Sequence, residues 1–247
     1  LPATNAHLAT FLQGLFPEDS AMNPLEVSAA AGDDDSTQST TNSTPTTTPT
    51  PALDDHPDLG AGLKARLSPP GPADTCWGLF MNAALLTVER HRSERAAREV
   101  RAAAAEPAEW VDALNYPTTE LLRVIYAAAR QLGRPQRGEA FEELGRAAAA
   151  ALLEHSVSAQ LAADRERSPR ARAAALSALL GPLLVPGERQ AGTEGPSSLG
   201  VALKGEVLPV QWVAGLYAQV LEVALRRPCR WSFERASPQR TELTLRW

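Results

Sequence analysis

Between Leu199 and Trp247 the hydrophobic period changes, and this constrains the fold more than any other feature of the chain. Apolar side chains first recur at every second position, through Leu199, Val201 and Leu203 and then Val207, with Lys204 and Glu206 facing the other way. From Val210 the recurrence turns helical, through Val213, Ala214, Tyr217, Val220, Leu221 and Ala224. Period two returns in Cys229, Trp231 and Phe233, and again in Leu243, Leu245 and Trp247. Alternation puts one face of a strand into a core, and the longer period puts one stripe of a helix there. With a short strand over 183–190, the spacing predicts a small antiparallel sheet carrying a packed helix, in the order β-β-α-β-β.

The stretch before this sheet is helical. Asp74 is placed to cap a helix with Trp77, Phe80, Met81, Ala84, Leu85 and Val88 inward. Residues 89–105 read as an arginine-rich helix, with Glu94–Arg98 and Arg95–Glu99 spaced to pair along it. Pro117 opens another helix, and Gly133-Arg134-Pro135 closes it. In the next helix Gly145 interrupts the apolar stripe beside an alanine run, which predicts a close helix crossing. Alanine-rich 157–163 and 169–180 complete this layer, and Gly181, Pro182, Pro186 and Gly187 predict its end. The fold class is therefore α+β: a helical subdomain followed by the sheet.

The front of the chain differs in kind. Residues 1–72 hold nine acidic side chains against two basic ones, whereas the remainder holds 20 against 22. Residues 4–16 space Leu8, Phe11, Leu12, Leu15 and Phe16 as a short docking helix, so 1–16 is read as one unit. Residues 17–72, with Asp33–Asp35 and a Ser/Thr/Pro tract over 36–51, are too polar to bury a core and predict a disordered linker. The folded domain is expected over 73–247.

Reactive constellations are missing from the sequence. The four histidines do not stand at zinc-ligand spacing, and neither a nucleophile elbow nor a phosphate loop occurs. No acid–base pair can be named, so the expectation is a non-enzyme. Cys76 and Cys229 fall in apolar stripes, where a free thiol behaves as a small hydrophobe. His155, following Glu154 at a helix end, reads as a capping residue, with iron ligation as the other reading. Acidic residues interrupt the arginine helix, which argues against nucleic acid. No apolar run approaches the roughly 20 residues needed to cross a bilayer. Without a signal peptide and with two cysteines, the chain is expected in a reducing cytoplasm. Tyr116, Tyr126, Trp212, Tyr217, Trp231 and Trp247 are the aromatics available to line a pocket between helices and sheet; core packing is the simpler account of them.

From Asp74 to Trp247 the chain resembles a paralogous family of myxobacterial domains of unknown function. The matching residues are Asp74-Thr75-Cys76-Trp77-Gly78-Leu79-Phe80-Met81-Asn82, the Tyr116-Pro117 helix start with Leu121, Leu122 and Arg123, and Phe141 with Leu144-Gly145-Arg146. KGEVLPVQW (204–212) and LTLRW (243–247) complete the match. That family is similar to heme–nitric-oxide-binding domains and to vinyl-reductase-type small-molecule-binding domains. The heme branch requires an axial histidine after the second long helix pair, and residues 164–198 contain none. The resemblance therefore implies no cofactor, with heme disfavoured. Residues 8–19, LATFLQGLFPED, resemble the segment that follows the catalytic domain of myxobacterial serine/threonine kinases.

Together these readings imply a regulatory module that binds a small molecule or a partner protein, at the C-terminal end of a signalling kinase. Candidate ligand-binding residues are Tyr116, Arg123, Tyr126, Trp212 and Tyr217. The alternative is an interaction or homodimerisation scaffold that uses the arginine helix or an exposed strand edge near 241–247.

Overall fold

A three-residue strand, β1 (Thr75–Trp77), stands where the sequence predicts a helix cap. The computed structural model describes residues 74–104, 109–133, 137–155, 168–237 and 240–247. The docking helix of 1–16, the linker of 17–72 and the alanine-rich 157–163 lie outside the described residues. Helix α1 (Gly78–His91) starts without a side-chain cap. Backbone serves instead: Gly78 N–H donates to Leu114 O at 3.0 Å and Leu79 N–H to Asp112 O at 3.2 Å. Asp74 offers its carbonyl to Thr118 N–H at 3.0 Å. The helix expected over 89–105 is broken. Its second part, α2 (Glu94–Arg101), begins afresh at Ser93, whose hydroxyl accepts from Ala96 N–H at 3.2 Å. An N-cap serine outweighs the helix preference of the flanking arginines. Arg95–Glu99 and Arg98–Glu94 pair at 3.2 and 3.9 Å, and both pairs are exposed and worth little.

Strand β2 (Asn115–Pro117) pairs antiparallel with β1 and leads into α3 (Thr118–Leu132), which Gly133 ends in the left-handed conformation. Helix α4 (Arg137–Glu154) follows. Helix α5 (Pro169–Leu183) is capped by Ser168, whose hydroxyl accepts from Ala171 N–H at 3.2 Å. It runs through Gly181 and Pro182, where the sequence predicts a break, because Leu179, Leu180 and Leu183 are all buried along its last turn.

The second sheet holds β3 (Glu188–Gly195), β4 (Ser198–Lys204), β5 (Arg230–Ser237) and β6 (Arg240–Arg246) in the order β3-β4-β6-β5. Every pairing is antiparallel, and α6 (Val210–Leu225) joins β4 to β5. This is the β-β-α-β-β order that the alternation implies. The first strand starts at Glu188, later than 183–190, since α5 claims residues up to Leu183. Leu243 stands between Val201 and Phe233 in the register, and Leu245 between Leu199 and Trp231. Leu199, Val201, Leu243 and Leu245 are completely buried, so one face of the sheet is core. The expected edge at 241–247 is corrected: β6 lies between β4 and β5, and the edges are β3 and β5.

Helices α4 and α6 form the tightest seam. A Cβ on Gly145 would lie 1.9 Å from Trp212 O, and one on Gly215 would lie 2.2 Å from Glu142 O. Each glycine admits the other helix's backbone, as Gly145 within its stripe foretold. Arg146 ties the seam at its polar margin, reaching Glu142 at 3.0 Å and Glu222 at 2.7 Å. Among the described residues no helix is long and apolar enough to cross a membrane.

Candidate functional site

Where α5, β3, the turn after β4 and α6 meet, four polar side chains lie together beneath the surface. Tyr217 in α6 is fully buried, and its hydroxyl is 2.6 Å from that of Ser177 in α5. Ser177 in turn donates to Ala173 O at 2.8 Å. Arg189 at the start of β3 and Glu206 after β4 form an ion pair at 2.6 Å, with side chains 1% and 7% exposed. Arg189 Nη1 also donates to Leu184 O at 3.0 Å, and Glu206 Oε1 accepts from Leu208 N–H at 3.1 Å. Gly187 makes room for the pair, since a Cβ there would stand 3.0 Å from Arg189 Nη2 and 3.1 Å from Glu206 Oε2.

The chemistry of this cluster is orientation. Burial pushes the Tyr217 hydroxyl up to about 12; the Ser177 hydrogen bond and Arg189 pull the other way, and Glu206 adds to the rise. Tyr217 thus stays a neutral hydrogen-bonding group at physiological pH. Ser177 touches this tyrosine and a carbonyl, neither of which is a base near neutrality. The arrangement pins the end of α5 and the entry to α6 against the sheet.

The five sequence candidates divide among separate places. Tyr217 enters the polar cluster. Trp212 is buried between α6 and α1, edge-on to Phe80 with ring centres 5.9 Å apart. Tyr126 is buried against Phe141 in the α3–α4 seam at 5.0 Å. The Tyr116 hydroxyl accepts from Val111 N–H at 3.0 Å, and Arg123 pairs with Glu120 at 2.5 Å. Sequence reasoning missed Ser177, Arg189 and Glu206. A charged residue opening an otherwise half-buried strand was the available signal for Arg189. Separately, a groove of about 530 Å³ lies between α1 and α2, floored by Leu85 and Ala97 and edged by Glu89, Arg98, Arg101 and Asp112. It shares no residue with the cluster.

Both thiols are buried, as their apolar stripes imply. Burial first, and then Glu120, raises Cys76 from the ordinary value of 9.0 to about 12, against the hydrogen bond of Thr118. Burial first, and then Glu222, raises Cys229 to about 11. A thiol reagent at pH 8 should therefore label neither cysteine in the native protein and both in denaturant. Both thiols keep their protons in the folded state, and the unfolded thiols ionise near 9, so their stabilisation is complete below that pH. Thermal melts should show it fading as the pH climbs from 9 towards 12; labelling at native rates equal to those in denaturant would refute the burial argument.

The described residues share the fold of solved H-NOX proteins. The Fe(II) unliganded H-NOX protein from K. algicida superposes with a TM-score of 0.57 at 11% identity, over 69% of this chain and 95% of that one. The S. oneidensis H-NOX protein in its Fe(II)NO state gives 0.56 at 12% identity, over 68% and 97%. A structure concerned with heme redox potential and porphyrin distortion gives 0.53 at 12% identity, over 69% and 99%. No curated protein matches the chain.

These neighbours overturn the expectation that the chain takes no cofactor and disfavours heme, because the fold is one that heme proteins use. The exclusion rested on residues 164–198 alone, and His155 lies just upstream of that window. Its ring packs edge-on against Trp77, with centres 5.5 Å apart, at the close of α4. His91 pairs with Glu143 at 2.8 Å near the surface. Among the described histidines, His155 is the one that stands in an aromatic setting. The model of the family described as Protein of unknown function (DUF2378) matches residues 71–247, and the chain belongs to that family.

Proposed function

We propose that residues 73–247 form a non-catalytic sensory module that binds a small apolar molecule, heme included, between the helical layer and the sheet. The observation that carries this reading is the buried Ser177–Tyr217 and Arg189–Glu206 cluster. It lies where a ligand that moves α5 against α6 would break or make its bonds. The shared H-NOX architecture supports the same reading. Binding would act by favouring one seating of α5 over another, and the size of the response is set by the difference in affinity for the two. When bound, heme would supply an iron centre for a diatomic ligand; the chain's own part is to hold it and to exclude water. The residue segment 8–19 and the acidic linker support a place behind a serine/threonine kinase domain in a myxobacterial signalling protein.

Native mass spectrometry and thermal melts of the full chain, with hemin and a panel of apolar metabolites, test the reading. A ligand at a hundredfold excess over its Kd stabilises by about 2.7 kcal/mol, or roughly 5–10 °C in Tm for a domain of this size. With hemin, His155→Ala should shift the Soret band of the complex and weaken retention of the hemin. Absence of any retained mass and of any shift across the panel would end the sensor proposal.

A further inference from the structure

Among the described residues β5 is an edge strand of the sheet, and its sequence is complementary to itself. Within the chain its outward charges are badly matched: Arg230 faces Arg246 across the register, and Glu234 faces Glu242. Like charges directly opposite on neighbouring strands repel. The Arg240–Glu242 bond at 2.7 Å relieves the acidic row in part, and Arg230 gains nothing from it. Over Arg230–Glu234 the residues alternate in one order: arginine, tryptophan, serine, phenylalanine, glutamate. Laid antiparallel on a second copy and centred on Ser232, this order places Arg230 opposite Glu234, Trp231 opposite Phe233 and Ser232 opposite itself. Centring on Trp231 or Phe233 instead loses both charge pairs.

Three further observations favour this edge. Arg230, Ser232, Glu234 and Arg235 are exposed, so the strand is open to a partner. Trp231 and Phe233 are stacked with ring centres 6.2 Å apart and are only half-buried, unlike Val201, Leu243 and Leu245 in the same layer. The opposite edge, β3, is interrupted by an irregularity between Ala191 and Glu194, which spoils it for pairing. By contrast, β5 keeps regular register from Arg230 to Arg235.

We propose that β5 is a self-recognition edge: two copies of this chain pair antiparallel about Ser232 and join their sheets, each Arg230 meeting the other copy's Glu234. The pairing completes the burial of the aromatic stack and gives each misplaced charge a partner of opposite sign. It stands independently of ligand binding.

Sedimentation equilibrium of the full chain over a concentration series should show a monomer–dimer equilibrium. Arg230→Glu sets glutamate against glutamate between copies, and Glu234→Arg sets arginine against arginine. Each should weaken association about tenfold or more, because two symmetric pairs turn from attraction to repulsion. Inside the chain the same changes remove the clash with Arg246 or Glu242, so the monomer's Tm should hold or rise. An equimolar mixture of the two variants should regain the dimer as a mixed species, since glutamates of one then face arginines of the other. A wild-type chain that stays monomeric throughout, single variants that associate as before, or a mixture that does not recover would each overturn the proposal.

Discussion

Gly145→Ala should destabilise the folded domain by about 3 kcal/mol or more, the upper end of what a single added methyl does in a packed interior. The methyl would lie 1.9 Å from Trp212 O and 2.8 Å from Trp212 C, which are backbone atoms of a buried helix and cannot rotate aside. Helix α6 would have to back away from α4, opening gaps around Trp212 and Leu216, both buried. Against this, alanine gains about 1 kcal/mol over glycine in helix propensity, too little to reverse the sign. Gly215→Ala should cost a similar amount, from the 2.2 Å approach to Glu142 O. The double variant should cost clearly less than the sum, because once the helices separate for one methyl the second finds room. Gly181→Ala is the control: nothing lies within 4 Å of its Cβ position, so it should leave stability level or raise it by up to about 1 kcal/mol. Urea unfolding followed by circular dichroism measures all four, and additive losses at 145 and 215 would show that the seam is not shared.

Arg189→Met carries the second large effect, a loss of about 3–5 kcal/mol, because it leaves the Glu206 carboxylate buried without its counter-ion. Glu206→Gln should cost a similar amount, because it leaves the buried Arg189 guanidinium, which cannot give up its proton, without a counter-ion. The bonds to Leu208 N–H and Leu184 O can persist but do not neutralise it. The two changes combined should cost less than Arg189→Met alone, since no uncompensated charge then remains. They should not restore wild-type stability, because the Leu184 carbonyl loses its donor. If Arg189→Met melts within a degree or two of wild type, the pair does not hold the junction.

The sheet was legible because its signal is local. Leu199, Val201, Leu243 and Leu245 alternate over a few residues, and burial on one face enforces that alternation. Gly145 was legible for a related reason, as a costly residue inside a stripe that had to be explained. Its counterpart Gly215 was not, because Val213, Ala214 and Tyr217 around it satisfy the helical period without it. The break at Ser93 was written in the sequence as an N-cap, and the run of arginines and alanines beyond it obscured the signal. Strand order was not accessible at all: hairpin and crossover connections both fit the spacing, so the edge fell at β5 rather than β6. The polar cluster was the least accessible. Ser177, Arg189, Glu206 and Tyr217 come from four segments, and only folding makes them neighbours.

The reciprocal glycine contacts have a mechanical consequence. With a carbonyl of each helix lodged in the notch of the other, α4 and α6 cannot slip or roll by a fraction of a turn without collision. They must travel as one block. Any give in the domain therefore belongs at the joint with α5, which the hydroxyls of Ser177 and Tyr217 link to α6. Amide exchange should find α4 and α6 opening together, with α5 yielding first.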